Sequence, residues 1–116
     1  MVLKYDLLLK GGEVIDPSQG LRGLRDVAFD KGKVAAAGLD ISRQEAREVI
    51  DVSGKLVAPG LVDIHGHYFN HFFSKATDAD GASLPYGVTT VVDTGGAGWK
   101  DFADFKRTII DPSQTR

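Results

Sequence analysis

The chain has 116 residues, 42% of them hydrophobic and 26% charged, a balance that suits one small packed domain or part of a larger protein. Fourteen basic residues against sixteen acidic ones leave a formal net charge of −2, which gives no electrostatic reason to expect nucleic acid or an anionic membrane as a partner. With no cysteine there is no disulfide, no thiolate ligand and no thiol nucleophile. No run reaches the ~18–20 apolar residues of a membrane helix. The opening MVLKYDLLLK alternates charge and apolar residues too quickly for a signal-peptide core, so the expected compartment is cytoplasmic.

The first sixty residues read as short strands and turns. Tyr5–Lys10 (YDLLLK) predicts a strand broken by Gly11-Gly12, and Glu13–Asp16 a second one stopped by Pro17. Residues 26–37 predict a β-hairpin around Lys31-Gly32-Lys33. Ser42 and Glu45 have capping-box spacing, which allows a single helical turn over 42–47. Glu48–Val52 and Lys55–Ala58 flank Ser53-Gly54 and predict a second hairpin. Strands this short and close suggest a small sandwich or half-barrel.

The pattern changes at Pro59-Gly60. Leu61–Ile64 (LVDI) has the near-continuous apolar character of a strand buried on both faces, and Val88–Val92 (VTTVV) is another. A polar loop and a short helix ending near Gly87 lie between them. Asp93 and the glycine-rich TGGAG follow, then a helical pattern over 99–110 with Phe102, Phe105 and Ile109 on one face, stopped by Asp111-Pro112. The order strand, helix, strand, helix implies parallel strands joined by crossovers. The pentapeptide IDPSQ occurs at 15–19 and 110–114, but its flanks do not match and no duplication follows from it.

All three histidines fall within residues 61–73, LVDIHGHYFNHFF. On a strand, residues i and i+2 point to one side, so His65 and His67 lean toward a common point. Two imidazoles so placed can supply two nitrogens to a divalent ion such as zinc. Asp63 shares their parity and is the candidate acceptor for orienting an imidazole. The bland alternative is a pair of structural histidines. The position of the pair, at the carboxyl end of a parallel strand, is where α/β sheets and barrels place their sites. His71 lies on the following loop, either approaching substrate or solvated. Asp93 either contacts substrate or a second ion, or caps the helix after TGGAG. TGGAG departs from the dinucleotide fingerprint, because Asp101 stands where that pattern needs glycine or alanine.

The segment KLVAPGLVDIHGHYF resembles the start of the metal-dependent amidohydrolase superfamily, and DADGASLPYGVTTVVDTGGAGW resembles the second strand and loop of its dihydroorotase-like and deacetylase-like members. The resemblance implies an α/β fragment: an incomplete N-terminal β-sandwich (composite domain) over 1–58, then the first two βα units of a TIM-like barrel over 59–116. It implies a hydrolase of amide, cyclic amide or ester bonds acting on a small-molecule substrate through a metal-activated water. His65 and His67 would be ligands of a divalent metal, zinc above others, with one or two ions in the parent protein. His71 and Asp93 would be substrate-binding.

The chain departs from that family in extent. A full barrel needs about 250 residues. The family's lysine from a middle strand, its two later histidines and its late aspartate have no counterpart here. The expectation is therefore a fragment that is inactive alone and self-associates, or pairs with the missing C-terminal part of the parent. The competing reading is a non-catalytic β-sandwich assembly module with structural histidines.

Overall fold

A computed structural model describes residues 3–69 and 76–116. The chain divides into two compact units, Met1–Pro59 and Gly60–Arg116. The first is built on β1 (Tyr5–Asp16), β2 (Leu21–Asp30), β3 (Lys33–Gly38), β4 (Ala46–Asp51) and β5 (Leu56–Val57). These form one mixed sheet in the order β3-β2-β1-β4, with β5 also on β1. The expected hairpin over 26–37 is present as β2 and β3, antiparallel, with Val27 opposite Ala37. The core is small. Leu8 and Ala28 are fully buried with Ala46, and Tyr5, Ala36, Ile41 and Val49 pack against them.

Two expectations for this unit need correction. Gly11-Gly12 does not break the first strand. β1 runs through it with one extra residue opposite β2, and Gly11 takes a φ of 79°, which glycine adopts without a Cβ penalty. Secondly, 48–58 is not a hairpin. β4 and β5 both lie parallel to β1, with Tyr5 opposite Ala46 and Glu13 opposite Leu56. Ser53-Gly54 is an outward kink between two strands running the same way, not a reversal. The described strands of this unit lie in one five-stranded sheet. The turn at Ser42 is one 3₁₀ turn, Arg43–Glu45, capped by Ser42 Oγ on the Gln44 N–H.

The bulge at Gly11 is held by Asp26. Its carboxylate accepts from the Gly11 N–H at 2.9 Å, the Ile41 N–H at 2.8 Å and Lys10 Nζ at 2.7 Å. Lys10 also donates to Asp40 and to the Ile41 carbonyl. Burial pushes the Asp26 carboxyl up, but these donors outweigh it and hold the group below its ordinary range.

The second unit contains β6 (Leu61–Gly66), α1 (Ala79–Ser83), β7 (Val88–Asp93) and α2 (Phe102–Phe105). β6 and β7 pair in parallel, as the crossover pattern requires. The helix before β7 closes with a 3₁₀ turn at Leu84–Tyr86 and Gly87 at a φ of 78°, where the sequence places its end. The helical segment after Trp99 forms as α2 and then widens to a π-helical stretch over Lys106–Ile110. Phe105 and Ile109 are half-buried, whereas Phe102 is exposed.

Gly60 has a steric reason: a Cβ there would stand 2.0 Å from Thr89 Oγ1. The strand expected to be buried on both faces is not. Leu61, Val62 and Ile64 are 60%, 57% and 74% exposed, because among the described residues β6 pairs with β7 alone. At the other edge of β7, the Arg116 N–H donates to the Thr89 carbonyl and the Val91 N–H to the Arg116 carbonyl. These two bonds are the rungs of a parallel ladder.

Candidate metal centre

His65 lies near the end of β6 and His67 just beyond it, where the strand emerges next to the end of β7. Their ring centroids are 5.6 Å apart and the planes are nearly perpendicular, at 87°. With nitrogens at ~2.0–2.1 Å on a tetrahedral ion, two imidazole centroids would stand roughly 5 Å apart, so the observed pair fits one shared ion. Among the described residues there is no group of three or more His, Asp or Glu able to hold a metal. The described residues thus bring two imidazoles together and no third His, Asp or Glu beside them.

Strand alternation is interrupted beside this pair. The β6–β7 register slips between Asp63, opposite Val91, and Gly66, opposite Asp93. Asp63 occupies the slip. Its Oδ1 accepts from the His65 backbone N–H at 3.0 Å and its Oδ2 from the Tyr68 hydroxyl at 3.3 Å. The hydrogen bonds described for Asp63 thus fix the strand end rather than an imidazole. The Tyr68 ring folds back against Gly66, where a Cβ would come within 2.4 Å of it. Glycine between the two histidines is a packing requirement. Tyr68 is buried, and burial pushes its hydroxyl pKa up.

The backbone around His67 is held at several points. The Gly66 carbonyl accepts from Thr94 N–H at 2.9 Å and from Thr94 Oγ1 at 3.1 Å. The His67 carbonyl accepts from the Thr77 N–H at 3.0 Å. Asp93 Oδ2 accepts from the N–H groups of Tyr68 at 2.7 Å and Phe69 at 3.1 Å, and Oδ1 from that of Gly96 at 2.6 Å. Burial raises the Asp93 carboxyl, and the N–H groups of Tyr68, Gly96, Phe69 and Ala97 outweigh it and hold the group below its usual range. Both oxygens are thereby committed to backbone. Asp93 bonds the turn after it at Gly96 rather than capping the helix that follows, whose N-cap is Asp101, and it also reaches across to the segment after β6.

The expectation for His71 falls outside the described residues, as do Phe72 and Phe73. Sequence reasoning missed Thr94 and Thr77. The available signal for Thr94 was its place directly after Asp93 at the end of a strand, where side-chain oxygens commonly meet backbone donors and acceptors.

Beside the strand ends lies a cavity of about 290 Å³ lined by Tyr68, Val91, Asp93, Phe105 and Ile109 among others. Phe69 and Phe105 pack nearby with centroids 5.4 Å apart. No helix of the described residues is long and apolar enough to cross a membrane.

No family model matches the chain. Among curated proteins it is similar to the dihydroorotase of Trichlorobacter lovleyi, 48% identical over 62 residues, covering 53% of this chain and 15% of that protein. It is also similar to adenine deaminase 2 of Rhizobium etli, 38% identical over 88 residues, covering 76% of this chain and 15% of that protein. The chain thus spans about 15% of the length of these relatives. Among solved structures, a crystal structure of a dihydroorotase matches with a TM-score of 0.71 and 26% identity, covering 97% of this chain and 30% of that one. The N-acyl-D-glutamate deacylase of Bordetella bronchiseptica, solved with zinc and a phosphonate inhibitor, matches with a TM-score of 0.63 and 37% identity, covering 78% and 18%.

Proposed function

The chain belongs to the amidohydrolase superfamily, and from that premise we propose that it is part of an enzyme hydrolysing an amide, cyclic amide or ester bond of a small molecule, with His65 and His67 as two ligands of a divalent ion. The observation that carries the reading is the pair of imidazoles 5.6 Å apart at the carboxyl end of a parallel strand pair. Zinc suits an all-imidazole contribution, and the Bordetella deacylase was solved with it. Such an ion, when bound, polarises a carbonyl and lowers the pKa of water.

This chain's own residues do the holding. His65 and His67 donate neutral ring nitrogens, and the slip at Asp63 sets their convergence. His71 is proposed to approach substrate from the loop after β6. The carboxylate of Asp93 is engaged by backbone N–H groups and is not assigned to substrate. On the same reading, 1–58 contributes one layer of a composite β-sandwich and 59–116 the first two βα units of a TIM-like barrel. By itself the chain turns over no substrate, because the remaining ligands belong to later strands in the family it resembles.

A zinc titration tests the ligand assignment. Stoichiometric binding that is lost in His65→Ala and in His67→Ala supports it. Metal at background level, with an unchanged oligomeric state in both variants, favours the assembly-module reading.

A further inference from the structure

We propose that Asp93 and Thr94 are positioning residues for the histidine pair: the end of β7 fixes the backbone from Gly66 to Phe69 so that the two imidazoles face one ion. The inference rests on the reading of His65 and His67 as ligands. It goes beyond that reading by assigning their placement to residues that hold the backbone on either side of His67.

His65 lies within the ladder of β6, but His67 is past its last paired residue, Gly66. The β6–β7 ladder ends there, and a backbone bond from Thr94 together with side chains at the end of β7 and just after it hold the segment beyond. Thr94 holds the peptide before His67 through two bonds to the Gly66 carbonyl. Asp93 holds the peptides after it through the N–H groups of Tyr68 and Phe69. The second carboxylate oxygen is anchored to Gly96, so Asp93 is itself rigid. The glycine there is required by this contact, since a Cβ would lie 2.6–2.7 Å from the Asp93 oxygens. His67 is thus held on both sides by one dipeptide of the neighbouring strand. Groups that orient metal ligands without touching the metal commonly change affinity ~10–100-fold when removed.

The test compares Asp93→Ala, Asp93→Asn and Thr94→Val with Asp80→Ala in the 116-residue chain. Asp80 is a control in the same unit, because its carboxylate holds Gln114 and Thr115 rather than the histidine segment. The first readout is the NOE between the His65 and His67 rings without metal, and the second is zinc affinity by calorimetry. The expected result is loss of the ring-to-ring NOE and a ~10–100-fold weaker zinc affinity in Asp93→Ala, with a smaller loss in Thr94→Val. Asp80→Ala keeps the NOE and stays within about twofold of the parent affinity. Asp93→Asn keeps the side-chain size while removing half the acceptor capacity, so it reports even where the alanine variant unfolds. An NOE that persists in both Asp93 variants, or an equal loss in Asp80→Ala, overturns the proposal. A parent chain that binds no zinc, but whose NOE still depends on Asp93, supports the positioning role and instead sinks the ligand assignment.

Discussion

Asp26→Ala is the sharpest test of what holds the first sheet together. Asp26 is only 4% exposed, and its carboxylate accepts three hydrogen bonds, from Gly11 N–H, Ile41 N–H and Lys10 Nζ. Lys10 keeps two other acceptors, Asp40 and the Ile41 carbonyl, when Asp26 is removed. The two backbone donors gain none. A buried donor left unmade costs about 1–3 kcal/mol, so the loss comes to about 3 kcal/mol. Removal of one partner from a buried charged pair costs about 3–5 kcal/mol, in agreement. With an m-value of about 2 kcal/mol per molar urea, the midpoint falls by roughly 1.5 M. Urea unfolding followed by far-ultraviolet circular dichroism reads this, and amide exchange at Gly11 and Ile41 should accelerate selectively. The control is Asp40→Ala, whose side chain also bonds Lys10 but is 97% exposed, with an expected cost below about 1 kcal/mol. Equal costs for the two variants would refute the claim that satisfaction of the bulge, rather than the charge of Lys10, is what stabilises.

Acid should unfold both units through the same chemistry. Asp26 and Asp93 each have a depressed folded pKa. Their contribution is complete above the unfolded value of ~3.9 and is lost as pH falls through the folded value. An acid titration should therefore show stability falling below about pH 4, with a shallower limb in Asp26→Asn and Asp93→Asn. Gly60→Ala should destabilise the second unit, because its Cβ meets Thr89 at 2.0 Å; adding Thr89→Ala should restore part of the loss in a thermal melt. The exposed Val62 and Ile64 lie on one face of β6 and predict self-association. Light scattering should report a species larger than the monomer, reduced by Ile64→Lys; a monodisperse parent monomer at high concentration would contradict this.

Much of the second unit was legible because its signals are local. The β-branched VTTVV run, the left-handed Gly87 and the spacing of His65 and His67 each act within a few residues. The slip at Asp63 was not legible, since it depends on where β7 places its rungs. Nor was the work of Asp93 and Thr94, whose partners lie some 25 residues away in sequence. In the first unit, Ser53-Gly54 has the composition of a reversing turn. What decides against reversal is that β1 pairs with both flanking segments in one direction, accepting from the Val52 N–H at the Lys10 carbonyl and donating its Glu13 N–H to the Lys55 carbonyl. Gly11-Gly12 has the composition of a break, and only the buried carboxylate of Asp26 makes it a bulge inside a continuous strand.

The pairing of β1 also fixes an order of assembly. Its antiparallel partner β2 follows after one short turn, so that edge closes at small entropic cost. Its parallel partners are distant, with Tyr5 opposite Ala46 and Glu13 opposite Leu56, and they can be captured only after some forty residues have emerged and β3 has been laid down. Until then, one whole edge of a twelve-residue strand is open to any extended segment in reach. The kink at Ser53-Gly54 divides the late capture into two steps, β4 and then β5. The window for wrong pairing therefore belongs to the second edge of the first strand in the chain.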